Sequence, residues 1–326
     1  MTLDLDMSPT AAGRQPEPIV EPLGIGIQYN PEILDWFPFE ECQVDAFEVL
    51  VDSFMGVLDG PYLMLPGFAE RLQELAKKSP LVAHSNYGCD FGFGPLEDTP
   101  AVRRHVPLAK KLNSPWVVNH MFYGDDSWLD IWSSPVQFSH AELDRLADRA
   151  ARLQELYGMP LAHENAAYYL PCPGGEMEEA EFLARLVEKS GTYLHVDLHN
   201  IYANSINLEG FSVQGYLDTI PLDRIVSMHV AGGSWREGVY HDWHDSPVPD
   251  EVWQMLEYVL ARSRPGGVFL EYQGQAHHPD TRVMGEDGDK DLIKRDLEIA
   301  MSIWDNTYGP ESRYSKRKKL RETVVA

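Results

Sequence analysis

The sequence contains few cysteines. Three occur among its 326 residues, Cys42, Cys89 and Cys172, and no two of them form a Cys-x-x-Cys pair. An odd and sparse set argues against a disulfide framework, and the spacing argues against a metal site built from thiolates. We therefore expect a protein of the reducing cytoplasm.

Long apolar runs are also absent. No stretch of about 18 consecutive apolar residues occurs, so the sequence predicts no transmembrane helix and no membrane partner. The segment 1–21 is acidic and rich in proline, and it lacks the apolar region of a secretion signal. We interpret residues 1–21 as a flexible N-terminal arm.

Basic residues are scarce in comparison with acidic ones. The chain has 27 Lys and Arg against 51 Asp and Glu, which gives a formal charge of -24. Such a surface repels a phosphate backbone, so a nucleic-acid partner is not expected. The exception is the basic segment Arg313–Arg321, within a tail that we place at residues 307–326. This segment is interpreted as a disordered end, a strip that docks on the chain's own acidic surface, or a partner site.

Short apolar runs alternate with longer segments of helical periodicity, which is typical of βαβ units. Eight such units predict an α/β protein with a (β/α)8 TIM barrel as one domain over residues 22–306. Two connections, Ile201–Gly210 and Ala231–Pro249, are long for the loops of a barrel, and long loops of this kind often carry function. The eight predicted strands are Gly24–Gln28, Ala46–Val51, Leu81–Ser85, Trp116–His120, Leu161–Asn165, Tyr193–Leu198, Ile225–Val230 and Val268–Gln273.

Metal-ligating residue types recur at the ends of the predicted strands. The carboxyl ends of barrel strands carry the chemistry of such enzymes, and converging carboxylates there repel one another unless cations neutralise them. Mixed imidazole and carboxylate ligands suit iron, zinc or manganese. Alternation along a strand places His195, Asp197 and His199 on one face. The candidate ligands are His84, His120, Glu164, Asp197, His229 and Glu271, together with Asp242 and His244 in the loop after strand seven.

The order of these ligands is similar to that in trinuclear xylose-isomerase-like barrels, including the endonuclease IV family. The residues around them more closely resemble the multinuclear non-haem iron-dependent oxidative enzymes that modify ribosomally made peptides, the family of methanobactin-biosynthesis enzyme B. The resemblance covers roughly residues 22–275. Its motifs are Gly24-Ile25-Gly26-Ile27, Phe47-Glu48-Val49, Glu164-Asn165, the segment Asp197-Leu198-His199-Asn200-Ile201-Tyr202-Ala203-Asn204, and His229-Val230-Ala231-Gly232-Gly233.

The resemblance implies how the ligands are divided among two or three iron ions, as Fe2+ and Fe3+. His84 and His120 would hold one ion, and Glu164 would bridge it to a second. Asp197, His229 and Glu271 would complete the second site, so Glu164, Asp197 and His229 would be the central catalytic residues. A third ion would be held by Asp242 and His244, together with either His199 or Asn200.

The resemblance also implies the reaction and its partners. One iron would hold a substrate group while another activates O2, so that a cysteine or another residue near a peptide's C-terminus is oxidised. A precursor peptide would be the substrate, and the family often uses a separate recognition protein. Arg236 would suit a peptide carboxylate because its guanidinium is a planar fork. The predicted substrate-binding residues are Asn165, Asn204, Tyr123, Trp235 and Arg236, and Glu48 and His241 are predicted to support the ligands.

Three alternatives stay open at this point. A divalent-metal phosphodiesterase of the endonuclease IV type would share the ligands, but it needs a basic surface that faces DNA. A sugar isomerase on the same barrel would need a catalytic lysine near the metals, and no lysine lies at a predicted strand end. A barrel that binds peptides without turnover is the third alternative.

Overall fold

The computed structural model describes residues 3, 5–8, 16–29, 44–51, 68–85, 91–99, 101–123, 136–170, 175–274 and 287–318. The three cysteines lie outside these ranges. In the described part of the chain, no helix is long and apolar enough to cross a membrane.

The predicted strands and the barrel are confirmed. Eight parallel strands form a closed barrel in the order β1-β10-β7-β6-β5-β4-β3-β2. Their bounds are β1 Gly24–Gln28, β2 Ala46–Leu50, β3 Leu81–Ser85, β4 Val117–His120, β5 Leu161–Glu164, β6 Tyr193–Asp197, β7 Ile225–Val230 and β10 Gly267–Leu270. The strands β8 Ser234–Arg236 and β9 Val239–His241 form a separate antiparallel hairpin.

Helices follow most of the barrel strands. Two helices differ from the prediction. The connection expected at Ile201–Gly210 belongs largely to a helix that begins directly after β6, and a further short helix precedes β7. The described helices are α1 Phe68–Lys78, α2 Val106–Leu112, α3 His140–Tyr157, α4 Glu179–Ser190, α5 Leu198–Asn207, α6 Val213–Thr219, α7 Asp250–Leu260 and α8 Asp287–Tyr308. A π-helical turn, Ala101–His105, precedes α2.

The chain divides into two compact units. The first comprises Met1–Phe47, Ala167–Leu170 and Val196–Ala326, and the second comprises Glu48–Ala166 and Pro171–His195. In the first unit, Gly26 of β1 faces the ring of Phe269 so closely that a Cβ atom on Gly26 would lie 2.4 Å from it. A glycine at this position therefore allows the aromatic ring to fill the core beside β1.

A buried ion pair ties the C-terminal segment to the start of β1 within the first unit. Arg313 Nε lies 3.1 Å from Asp45 Oδ2, and both side chains are almost fully buried. The same carboxylate accepts from the backbone N–H groups of Ile25 and Ser315, each at 3.0 Å. Of the three interpretations of the basic segment, docking on the chain's own acidic groups is therefore the one that fits Arg313. The boundaries at residues 21 and 307 stay predictions.

Replacing Arg313 with Ala is expected to lower the free energy of unfolding by about 3–5 kcal/mol, because the change leaves the Asp45 carboxylate buried without its cation. Chemical denaturation of both proteins measures the difference. The control is Arg152→Ala, which removes an exposed pair with Glu155 and should cost less than about 1 kcal/mol. Equal losses in the two variants would contradict the role given to Arg313.

The second unit contains the parallel strands β3, β4 and β5 and the start of β6. The register of β4 and β5 pairs His120 with Glu164, and that of β5 and β6 pairs Glu164 with His195. The helix α3 begins after Ser139, whose hydroxyl accepts from the backbone N–H of Glu142, and ends at Gly158, which has a φ of 71°. Three ionisable side chains therefore lie on neighbouring strands at the same level.

Candidate metal centre

The second unit brings three predicted ligands together at the ends of β3, β4 and β5. Glu164 Oε2 lies 2.9 Å from His84 Nε2 and 3.2 Å from His120 Nδ1. One possible ligand atom from each of the three residues falls within 4.8 Å of the others. A carboxylate oxygen that faces two imidazole nitrogens is a donor arrangement that a divalent cation can occupy.

A second carboxylate supports this group from β2. Glu48 Oε1 lies 3.0 Å from His84 Nδ1, and both residues are buried. Burial alone lowers the pKa of His84, but the carboxylates of Glu48 and Glu164 outweigh it and raise this pKa to about 10. Without metal, a proton on His84 therefore balances the carboxylates, and a cation would take its place.

Neighbouring histidines of the second unit have other surroundings. His163 has Asn119 Oδ1 3.0 Å from Nδ1 and Thr192 Oγ1 2.9 Å from Nε2, and burial lowers its pKa to about 3. It is a neutral structural residue. His195 is also buried, with its ring centre 6.0 Å from that of His84. His195 is not among the predicted ligands, although its position two residues before Asp197 places it on the same face of the strand.

The first unit holds a second group of predicted ligands. His229 Nδ1 lies 3.1 Å from Glu271 Oε2 and 3.8 Å from Asp197 Oδ2, and all three side chains are buried. Gln28, at the end of β1, donates from its amide to Glu271 Oε1. Gln28 was not among the predicted site residues, because a single amide at a strand end carries no distinctive sequence signal.

The segment after β9 adds Asp242 and His244 to this unit. His244 Nε2 lies 2.8 Å from Asp242 Oδ1 and 3.4 Å from Glu271 Oε2. Burial lowers the pKa of His244, but the carboxylates of Asp242 and Glu271 outweigh it and raise this pKa to about 10. Burial raises the pKa of Asp242, whereas the imidazoles of His244 and His199 lower it to well below its usual range.

His199 and Asn200 lie on a helix, which corrects the strand alternation used to orient His199. The strand β6 ends at Asp197, whose Oδ1 accepts from the backbone N–H of Asn200 at 2.8 Å and so caps α5. A side chain two residues beyond Asp197 therefore follows helical geometry. His199 instead meets Asp242, with 2.7 Å between Nδ1 and Oδ1.

The β8–β9 hairpin carries two of the predicted substrate-binding residues. Trp235 is 61% exposed, and its ring lies edge-on to that of Tyr240. The guanidinium of Arg236 lies over the ring of Trp243 and 3.5 Å from Asp245. The hairpin therefore presents aromatic surface and a cation within a few residues of Asp242 in sequence.

His241, predicted to support the ligands, contacts rings in the structure. Its ring centre lies 4.9 Å from that of Tyr169 and 5.9 Å from that of Trp243. The backbone N–H of Asp242 donates to the hydroxyl of Tyr169 at 3.4 Å. His241 thus shares an aromatic cluster with the loop that follows β5, and this cluster adjoins the Asp242 segment.

The other three predicted substrate-binding residues differ in exposure. The Tyr123 hydroxyl donates to Glu142 at 2.8 Å, and its ring stacks on Phe93, which is 75% exposed. Asn165 and Asn204 are buried. Asn204 Oδ1 accepts from the backbone at residue 168, at 2.6 Å, so Asn204 fixes the loop after β5. Their roles toward substrate stay predictions.

Solved structures confirm the fold. An L-ribulose 3-epimerase structure matches with a TM-score of 0.52 and 14% identity, covering 93% of this chain and 98% of that one. A D-psicose 3-epimerase structure in the presence of D-fructose matches with a TM-score of 0.53 and 15% identity, covering 87% of this chain and 99% of that one. Because both identities are below 25%, the likeness is limited to the fold.

Relatives found by sequence share a higher identity with this chain than these two structures do. A profile of the protein family described as RiPP precursor modification enzyme MbnB/TglH/ChrH matches residues 24–289. A UPF0276 protein of Bordetella pertussis is 33% identical over 263 residues, which cover 78% of this chain and 86% of that protein. A UPF0276 protein of Caulobacter vibrioides is 28% identical over 251 residues, which cover 76% and 85%.

Proposed function

This chain belongs to the family of RiPP precursor modification enzymes MbnB/TglH/ChrH, and from this premise we propose that it is an oxidoreductase that uses iron and O2. RiPP precursors are ribosomally made peptides that enzymes modify after translation. The proposed substrate is a cysteine, or a residue near the C-terminus, of such a peptide. O2 is the oxidant and the peptide is the reductant.

The observation that carries this proposal is the group of His84, His120 and Glu164, in which His84 and Glu164 are buried. Its donors are two imidazoles and one carboxylate, which suit iron, and they face one another within 4.8 Å. The carboxylates of Glu48 and Glu164 raise the pKa of His84 to about 10, so this place favours a positive charge. A buried carboxylate between imidazoles is costly without such a cation.

The donor set fits two or three iron ions. His84, His120 and Glu164 would hold one ion, and Asp197, His229 and Glu271 another. Asp242 and His244 are the proposed ligands of a third. When bound, iron with open coordination positions supplies O2 activation and oxidation of a bound substrate.

The chain's own residues supply position and exclude water. Glu48 holds the His84 ring through Nδ1, and Gln28 holds Glu271, so both ligands are fixed before substrate arrives. The burial of His84 and Glu164 keeps water from these side chains. Arg236 is proposed to bind a carboxylate of the peptide, because it lies on an accessible hairpin and its fork suits that group.

The proposed reaction takes place in the cytoplasm, on a peptide that another protein delivers. The substrate partner is the precursor peptide, which a separate recognition protein would deliver to the barrel. A reducing cytoplasm fits a substrate with a free cysteine.

A direct test uses protein purified and loaded with Fe2+ in the absence of O2. Metal ions per chain are counted by mass spectrometry, and O2 uptake is measured with and without a candidate precursor peptide taken from the neighbouring genes. We expect at least two iron ions per chain and O2 uptake that requires the peptide. A chain that holds only zinc, cleaves phosphodiesters and consumes no O2 would overturn the proposal, and peptide binding without turnover in the iron-loaded protein would indicate a binding barrel.

Sugar epimerisation is the second candidate, because the structural neighbours cited above are sugar 3-epimerases. A sugar isomerase on this barrel would need a catalytic lysine near the metals, and in the described part of the chain no lysine lies at the carboxyl end of a barrel strand. Incubation of the metal-loaded protein with D-fructose separates the two candidates. Formation of a 3-epimer without O2 would favour the epimerase, and no turnover is expected.

Replacing Trp235 with Ala is expected to raise the KM for the peptide about tenfold with little change in kcat, because an exposed aromatic ring contributes binding rather than chemistry. Steady-state rates over a range of peptide concentrations measure both constants. Met7→Ala is the control. Met7 is also an exposed apolar side chain, and the residues on either side of it bind Arg262, which lies outside the β8–β9 hairpin. An unchanged KM in the Trp235 variant would remove this residue from the peptide site.

A further inference from the structure

His199 has a partner on each ring nitrogen. Nδ1 lies 2.7 Å from Asp242 Oδ1, and Nε2 lies 3.2 Å from the Tyr240 hydroxyl. The ring is fully buried. An imidazole has two ring nitrogens, so these two partners use both of them.

The direction of one hydrogen bond follows from its acceptor: the Asp242 carboxylate can only accept, so the His199 Nδ1–H donates to it. The hydroxyl oxygen of Tyr240 accepts from the backbone N–H of Gly233 at 3.1 Å. The O–H of Tyr240 is then placed to donate to His199 Nε2. The chain of bonds runs in one direction, from Gly233 through Tyr240 and His199 to Asp242.

The surroundings hold this chain of bonds in place. A Cβ atom on Gly233 would lie 2.9 Å from His199 Cε1 and 2.0 Å from the carbonyl oxygen of His241, so only glycine leaves room for the imidazole. The Asn207 amide bonds to both backbone groups of Tyr240, donating to its carbonyl at 2.7 Å and accepting from its N–H at 3.1 Å. The helix α5 and the hairpin thus fix the two ends of the contact.

We propose that His199 is a positioning residue for Asp242, oriented by Tyr240, and not a ligand of the third metal ion. Each ring nitrogen of His199 faces a protein partner, so a bond from His199 to a metal would require breaking one of these two contacts. The imidazole N–H instead sets the rotation of the Asp242 carboxylate. The other residue predicted for this place, Asn200, stays a prediction.

This inference rests on the proposed metal role of Asp242 and His244. Partners that orient a metal ligand typically contribute a factor of about 10–100 in metal affinity. Tyr240→Phe removes only the hydroxyl and is expected to weaken Fe2+ binding at this site by about that factor. His199→Ala should weaken it similarly, whereas His199→Asn keeps an N–H near the position of Nδ1 and should retain most of the affinity.

The measurement is competition for Fe2+ against a chelator of known affinity, together with iron ions counted per chain. Thermal unfolding of the metal-free variants controls for damage to the fold. If His199 were a ligand, His199→Asn and His199→Ala would lose iron equally, and Tyr240→Phe would bind iron as the wild type does. Either result would overturn the inference.

Nitrogen chemical shifts of labelled histidines provide a readout that does not involve iron. In the metal-free and the zinc-loaded protein, His199 should show a protonated Nδ1 and an Nε2 that accepts a hydrogen bond, with assignment by comparison with His199→Asn. Zinc-induced loss of that Nε2 signal would overturn the inference. A wild-type chain whose iron content is the same as that of Asp242→Ala would instead overturn the proposed metal role of Asp242.

Discussion

Replacing Glu164 with Ala is expected to remove iron from the protein and to lower turnover of the peptide by a factor of about a thousand or more. One carboxylate oxygen of Glu164 faces both His84 and His120, so its loss removes the shared member of the group. The metal supplies several kcal/mol of stabilisation to the reaction, and each 1.36 kcal/mol corresponds to about a tenfold change in rate.

The comparison variant is His244→Ala, which should lose less metal than Glu164→Ala. The His244 ring is one of several donors near Asp242 and Glu271. Iron per chain and peptide turnover are measured for both proteins. Glu188→Ala, an exposed change on α4, controls for the loss of a carboxylate. Equal losses of iron from the Glu164 and His244 variants would contradict the importance given to Glu164.

Metal binding is expected to release protons, so that apparent affinity for Fe2+ rises steeply with pH. The carboxylates around His84 and His244 raise both pKa values to about 10, and each imidazole therefore carries an extra proton at pH 8 in the metal-free protein. A metal needs the lone pair that this proton occupies. Affinity should rise about tenfold per pH unit for each proton released, and the rise should end near pH 10.

Calorimetry in buffers of different ionisation enthalpy counts the protons released at pH 8. Glu48→Gln is the informative variant, because it removes one of the two carboxylates that keep His84 protonated. That variant should release fewer protons, and its affinity should depend less on pH. His163 should contribute none, since burial lowers its pKa to about 3. Metal binding without proton release would show that the imidazoles are neutral before the metal arrives.

Most of the strand framework was predictable from the sequence. The strands β1, β3 and β7 have the predicted bounds, and the other barrel strands differ by a few residues at their ends. A buried parallel strand is a short apolar run between helical segments, which is a local pattern. The residue types at the strand ends are equally local, so the candidate ligands follow from the amino-acid sequence alone.

The hairpin and the start of α5 were not predictable in the same way. The segment 231–249 reads as a long loop, because strands of three residues are too short to show alternation. At the end of β6, the sequence continues in apolar and polar residues that suit either a strand or a helix. The Asp197 carboxylate decides the outcome by capping the helix, and this takes His199 out of the strand.

The sequence by itself determined the parallel barrel and the residue types that can hold metal at the ends of its strands, because both depend on neighbouring residues along the chain. Only the tertiary structure decided which atoms face one another. It placed one oxygen of Glu164 between His84 and His120, and it gave both nitrogens of His199 to Tyr240 and Asp242. Such contacts join residues about 40 to 80 positions apart, and their distances are set by packing.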